Sequence, residues 1–274
     1  MIVAYPGREG AHSAAACALL FPEEEANALP SFSDVVAAVA SGRVEAGVLP
    51  IESSISGPVA ETHDLLVDSA TSINAQVILP IRHFLVGVAD VPLAEIRIIR
   101  SHPVALDQCR RLLASLPEAE AIAAGTTADA AAQVARDAEP TEAAIASELA
   151  AALHGLVVLA ADVGDHPEAF TRFVSISNRT QLAEGNDWRI AFSFQTDHRP
   201  GALHRAIEPF ARHGIDLVQL VSRPIPDTPW RYCFHAVLAG HPLDEEINGA
   251  LREVRLQTRR LKVFGSYPAR GEDA

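Results

Sequence analysis

The chain holds little of what metal centres and redox sites are made from. Only three of its 274 residues are cysteine, and Cys17, Cys109 and Cys233 form no Cys-x-x-Cys pair. Neither a zinc knuckle nor a disulfide framework is expected from such spacing, and each reads as a small buried apolar residue. The eleven histidines contain no His-Glu-x-x-His run, so no metal is expected. No Gly-x-Ser-x-Gly elbow, P-loop or dinucleotide fingerprint occurs, which removes the sequence signals of a hydrolase nucleophile and of a nucleotide cofactor. Positive charge is also scarce. The formal net charge is −13, with no basic field to hold a nucleic acid backbone. Lys262 is the only lysine and reads as compositional bias. No apolar run is long enough to span a bilayer, and "MIVAYPGREG" has no basic n-region before an apolar h-region. A cytoplasmic protein in a reducing compartment, without a membrane partner, is expected.

What is present alternates between strand and helix. "IVAY" is a short apolar run closed by Pro6-Gly7, Gly10 to Leu20 is rich in Ala, and Ser33 is a candidate cap for a helix closed by Gly42. The strand "AGVLPI" follows. Pro80 interrupts the β-like passage Ser72 to Val88, as expected where a chain leaves one sheet for another. "IRIIRSHPVALDQCRRLLASL" predicts a strand, a turn and one helix, whereas "EAAIASELAAALHGLVVLAADV" predicts a helix closed at Gly155 and then a strand. The chain returns through "FTRFVSIS". Leaving and returning implies two α/β lobes around a cleft: lobe 1 over about 1–80 plus 170–178, and lobe 2 over about 81–169. A polar linker, "NRTQLAEGND", separates 1–178 from 188–274, whose order βαββαβ predicts a ferredoxin-like domain.

Three stretches carry candidate chemistry. "LPIESSISGPVAETHDLL" places Glu52, Ser53, Ser54 and Ser56 just after an apolar strand, where open α/β sheets hold ligands; a hydroxyl-rich helix cap is the competing reading. "RSHPVALDQC" repeats the pattern with Ser101, His102 and Gln108. "PEAFTRFVSIS" sets Thr171 beside Arg172 between two phenylalanines. Strand alternation sends Thr171 and Phe173 to one face and Arg172 to the other.

In this order, "PIESS", "SHPVALDQC", "AAIASELAAALHGLVVLA" and "FTRF", followed by "RPGAL" and "VSRP", resemble prephenate dehydratase with a C-terminal ACT domain, over nearly the whole chain. The resemblance implies a periplasmic-binding-protein-like two-lobed catalytic region and a cofactor-free lyase acting on prephenate. Its Thr-Arg-Phe signature falls on Thr171, Arg172 and Phe173. Thr171 would donate a proton to the departing hydroxide, Phe173 would wall the pocket, and Arg172 would organise the lobe through an ion pair. Glu52, Ser101 and Gln108 match substrate-orienting positions, and Ser53 and Ser54 beside them are further candidate substrate contacts. In the second domain, Gly201, Ala202 and Leu203 with Ser222, Arg223 and Pro224 match an effector site for L-phenylalanine, and ACT domains imply a homodimer or homotetramer. The sequence also departs from the family. Ser53, Val104 and Ala169 stand where the family has Asn, Gln and Asn, Pro6-Gly7 replaces Gln-Gly, and Val221 replaces the Glu of Glu-Ser-Arg-Pro. A prephenate decarboxylase that keeps the hydroxyl, and a non-catalytic amino-acid sensor, are the alternatives.

Overall fold

The structure, a computed structural model, describes residues 1–179 and 185–269; part of the expected linker therefore lies outside the described residues. The first lobe opens with β1 (Ile2–Pro6), α1 (His12–Leu20), β2 (Glu25–Leu29), α2 (Phe32–Ala40), β3 (Ala46–Ser53), β4 (Gly57–Pro58), α3 (Ala60–Asp68) and β5 (Ser72–Pro80). The second lobe contains β6 (Phe84–Gly87), β7 (Ile98–Ser101), α4 (Pro103–Asp107), α5 (Arg110–Ser115), β8 (Glu120–Ala123), α6 (Thr127–Asp137), β9 (Glu142–Ala146), α7 (Glu148–His154) and β10 (Val157–Ala160). The chain then returns as β11 (Phe170–Ser177). The C-terminal domain runs β12 (Trp188–Gln195), α8 (Ala202–Arg212), β13 (Leu217–Pro224), β14 (Tyr232–Ala239), α9 (Glu245–Gln257) and β15 (Arg260–Pro268), the expected βαββαβ order.

Two sheets organise these elements. The smaller has the order β10-β6-β9-β7-β8. The larger runs β13-β14-β12-β15-β5-β11-β3-β1-β2 and so joins the C-terminal domain to the first lobe as one sheet, with β4 paired to β3. β3 lies between β1 and β11 and is apolar and buried along most of its length, as a strand covered on both faces must be. Gly47 lets α2 approach it, because a Cβ there would sit 2.6 Å from Val35. The seam between domains is the parallel pair Gly265–Ile73. Gly265 adopts φ +154°, and any Cβ at this position would collide with the Ile73 carbonyl, so only glycine fits.

Three expectations are corrected. Ser31, not Ser33, caps α2, its Oγ accepting from the Asp34 amide at 3.1 Å. The helix expected after "SHPV" is broken at Cys109 into α4 and α5. "EAAIA" is not the start of a helix but β9, between β6 and β7. Ala143, Ala144, Ile145 and Ala146 are all fully buried there, and burial with ladder pairing outweighs alanine's helix preference, which is worth only tenths of a kcal/mol per residue, roughly.

Candidate active site

Between the lobes lies a cleft of about 630 Å³. Its floor is the start of β11, which lies antiparallel to both β3 and β5. Thr171 and Phe173 both line it, Phe173 being only 2% exposed and rooted in the core of the first lobe. Arg172 stands in register with Glu52, and its Nη1 donates to Glu52 Oε2 at 3.0 Å; neither side chain lines the cleft. The pair instead ties β11 to β3 beside Thr171.

The loop after β3 is held to β11 by a second device. The Ser54 amide donates to the Phe170 carbonyl, and Ser54 Oγ accepts from the Phe170 amide, both at 2.9 Å. This clamp sits one residue before Thr171 and fixes where the strand starts. Ser53 does line the cleft, with its Oγ accepting from the Ile55 and Ser56 amides at 3.2 Å each. Ser101 does not: it is fully buried and donates to the Ile145 carbonyl at 2.6 Å, a pin between β7 and β9. Gln108 lines the cleft, its Oε1 lying 2.9 Å from His83 Nε2.

Sequence reasoning missed His83, His12, Thr126, Thr127, Ser31 and Glu61, all of which line the cleft. His83 is 4% exposed, and its Nδ1 has no hydrogen-bond partner among the described residues. Burial holds its pKa below the ordinary histidine value, with the Gln108 bond acting the other way. His12, whose ring meets that of His83 edge-on at 6.2 Å, is pushed down to about 4 by burial and by His83. His102 is lowered by burial too, so these three imidazoles are neutral near neutral pH.

No described residue lining the cleft is Lys or Arg, and Glu61 is its one acidic residue. Yet the N-terminal residues of α1, α2, α3 and α6 all line it: Ala11 and His12, Ser31 and Phe32, Val59 and Glu61, Thr126 and Thr127. Four converging helix N-termini put partial positive charge and free amides where no cation stands. That environment suits an anion. The signal was present in the sequence as Ser31-x-x-Asp34 and Thr126-x-x-Asp129, where both side-chain caps form. The lobes also touch directly, through the Arg8–Asp129 ion pair and a 2.7 Å bond from Ser147 Oγ to the Gly10 carbonyl. Pro6, Ser53, Val104 and Ala169, where the first domain departs from the pattern that the resemblance implies, all line this cleft.

In the C-terminal domain, Ala202 and Leu203 line a separate pocket of about 360 Å³ with Asp197, Arg199, Trp230 and Arg231, and Gly201, at φ +76°, caps α8 beside it. Ser222, Arg223 and Pro224 do not line that pocket. Arg223 turns instead to the first lobe, where its Nη2 donates to Asp64 Oδ2 at 2.8 Å. No group of three or more potential metal ligands gathers among the described residues, and no helix among them is long and apolar enough to cross a membrane.

The prephenate dehydratase family profile matches residues 3–181 and the ACT domain profile residues 192–256. The bifunctional chorismate mutase/prephenate dehydratase of Aquifex aeolicus is 36% identical over 236 residues, which is 86% of this chain and 64% of that protein. The chain thus spans just under two thirds of that relative. The bifunctional N-acyl-homoserine lactone acylase/prephenate dehydratase of Komagataeibacter europaeus is 32% identical over 98% of this chain and 96% of its own length. The crystal structure of prephenate dehydratase from Arthrobacter aurescens in complex with L-Phe matches with a TM-score of 0.89 and 30% identity, over 98% of this chain and 90% of that one. The chain belongs to the prephenate dehydratase family and carries a C-terminal ACT domain.

Proposed function

We propose that the chain catalyses the decarboxylative dehydration of prephenate to phenylpyruvate in phenylalanine biosynthesis, and that the cleft between the lobes is where it does so. The observation that carries this reading is Thr171, a hydroxyl that β11 delivers into a cleft ringed by helix N-termini. Prephenate is a dianion, and the amides at those N-termini receive its carboxylates without a guanidinium. As the ring carboxylate leaves as CO₂, the electron pair of the broken C–C bond enters the ring and expels hydroxide from the opposite carbon. The Thr171 hydroxyl donates a hydrogen bond, and then a proton, to that oxygen as the C–O bond breaks; water is released, and the alkoxide left on Thr171 takes a proton back from solvent. Its effect arises in the transition state. Glu52, Arg172 and Ser54 hold the floor in place, Phe173 walls it, and Ser53, Gln108 and His83 supply polar contacts around the ring.

L-Phenylalanine is the proposed effector, taken up by the ACT domain. β13 is the edge of the larger sheet, with Val218 and Leu220 exposed on it, and an unpaired apolar edge invites a second copy. A homodimer through ACT domains follows from this reading.

The test is a time course with prephenate, with products separated by chromatography. Thr171→Val keeps the shape of the side chain and removes the hydroxyl, so phenylpyruvate formation falls by about 10²–10⁴-fold with KM little changed. An unchanged rate removes Thr171 from the mechanism. A non-aromatic product from the wild type indicates a decarboxylase, and binding without turnover indicates a sensor.

A further inference from the structure

The ACT domain grips α3 at three heights. Near its start, His63 is buried against His235 of β14, with ring centroids 4.7 Å apart. One residue on, Asp64 accepts from Arg223 of β13 at both oxygens, at 3.2 and 2.8 Å. At its end, Lys262 of β15 donates through Nζ to the carbonyls of Leu66 at 2.7 Å, Val67 at 3.1 Å and Ser69. α3 has no basic residue of its own in its last turn. Its C-terminal carbonyls, left open by the helix geometry, are therefore met by a cation from the other domain. Arg260 adds only a 3.4 Å contact to Val67. Lys262 is half-buried and packs over the Phe264 ring at 5.4 Å, so its ammonium is held rather than free to wander.

The opposite end of the same helix is a wall of the cleft. Val59 and Glu61 line the cleft together with Ser53, Ser56, Gly57 and Pro58 of the preceding loop. Inside its own lobe, α3 is tied to β3 by the Thr62 hydroxyl on the Pro50 carbonyl at 2.6 Å and by the Val59 amide on the Ile51 carbonyl at 2.9 Å. A nine-residue helix is short and stiff, so where its last turn is pinned its first turn follows.

We propose that Lys262, the single lysine of the chain, is a positioning residue for the catalytic cleft: by capping α3 from the ACT domain it sets the wall that α3 and its loop present to the substrate. It touches no reacting atom. It acts on the cleft through α3, and it makes the ACT domain a structural part of the substrate site. This rests on the dehydratase reading for its substrate, but not for its geometry.

The experiment uses the full chain with Lys262→Met and Lys262→Arg. Because α3 forms a binding wall and Thr171 lies on β11, Lys262→Met raises the KM for prephenate about tenfold while kcat stays within about twofold, and Lys262→Arg recovers most of the loss. A merely structural cap predicts the reverse: apparent kcat falls with the folded fraction and KM does not move, which overturns the proposal. Amide hydrogen exchange over residues 53–61 gives a second readout that needs no turnover. It is faster in Lys262→Met and restored in Lys262→Arg, while β7 and β9 are unchanged; equal exchange in all three proteins overturns the proposal. Absence of phenylpyruvate from the wild type would overturn the dehydratase reading alone, and exchange would still decide the role of Lys262.

Discussion

Acid should weaken the joint between the two domains, through two histidines buried there. His63 and His235 are each 3% exposed. Burial, reinforced by Arg223, holds His63 at about 4 against the ordinary 6.5, with Asp64 and a hydrogen bond to the Ile51 backbone acting the other way. Burial and the neighbouring His63 hold His235 at about 3, with Arg223 lowering it further and Asp64 opposing. Both folded values lie below the unfolded one. The unfolded chain therefore takes up protons first as pH falls, and stability that is complete above 6.5 is lost between there and about 4 for His63 and about 3 for His235. At about pH 5 an unfolded histidine lies some 1.5 units below its pKa, so each residue forfeits roughly 2 kcal/mol and the pair roughly 4. That is a large share of the 5–15 kcal/mol or so typical of a domain. The assay is urea unfolding at about pH 7 and about pH 5, for the wild type and for the His63→Leu/His235→Phe double variant. Comparing the two proteins cancels the carboxylates, which titrate in both. The wild type should lose roughly 4 kcal/mol more than the variant over that interval. Equal losses would show that the two rings titrate normally and that the buried joint does not exist in solution.

Two further outcomes follow from single contacts. Gly265→Ala drives a methyl group into the Ile73 carbonyl at a φ that side chains rarely adopt, so it should cost about 2–4 kcal/mol and loosen the joint between domains. Differential calorimetry and proteolysis of the linker would report it, and a wild-type melt would refute the seam. Ser147→Ala removes both the cap on the Ala150 amide and the bond to Gly10 in the other lobe. The cap alone is worth about 1 kcal/mol, or a fall of about 2–4 °C in melting temperature for a protein of this size.

Much of the architecture was legible because it rests on local signals. Pro80 marked the crossing between sheets, the C-terminal domain showed clean alternation in "WRIAFSF", and β11 was visible as "FTRFVSIS". Alternation alone also separated Thr171 and Phe173 from Arg172, which turns to Glu52 on the other side. Where composition and environment disagree, the sequence misleads. "EAAIA" has the residues of a helix and the position of a central strand, and only the neighbouring strands β6 and β7 tell them apart. Ser101 looked like a substrate contact because it stands at a strand end, but its hydroxyl was needed inside to meet the Ile145 carbonyl. Lys262 looked like residue bias, and its three carbonyl partners lie some two hundred residues away in sequence.

The sequence by itself determined the βαββαβ order of the C-terminal domain, the family and the short motifs from which the site is assembled, since each is written in contiguous residues. Only the tertiary structure decided which of those motifs share a cavity, that helix N-termini and not arginines surround it, and that an ACT strand pins one of its walls. Those are properties of distances between residues far apart in the chain. Burial and partner choice are settled when the lobes and the ACT domain pack, and no local pattern carries them.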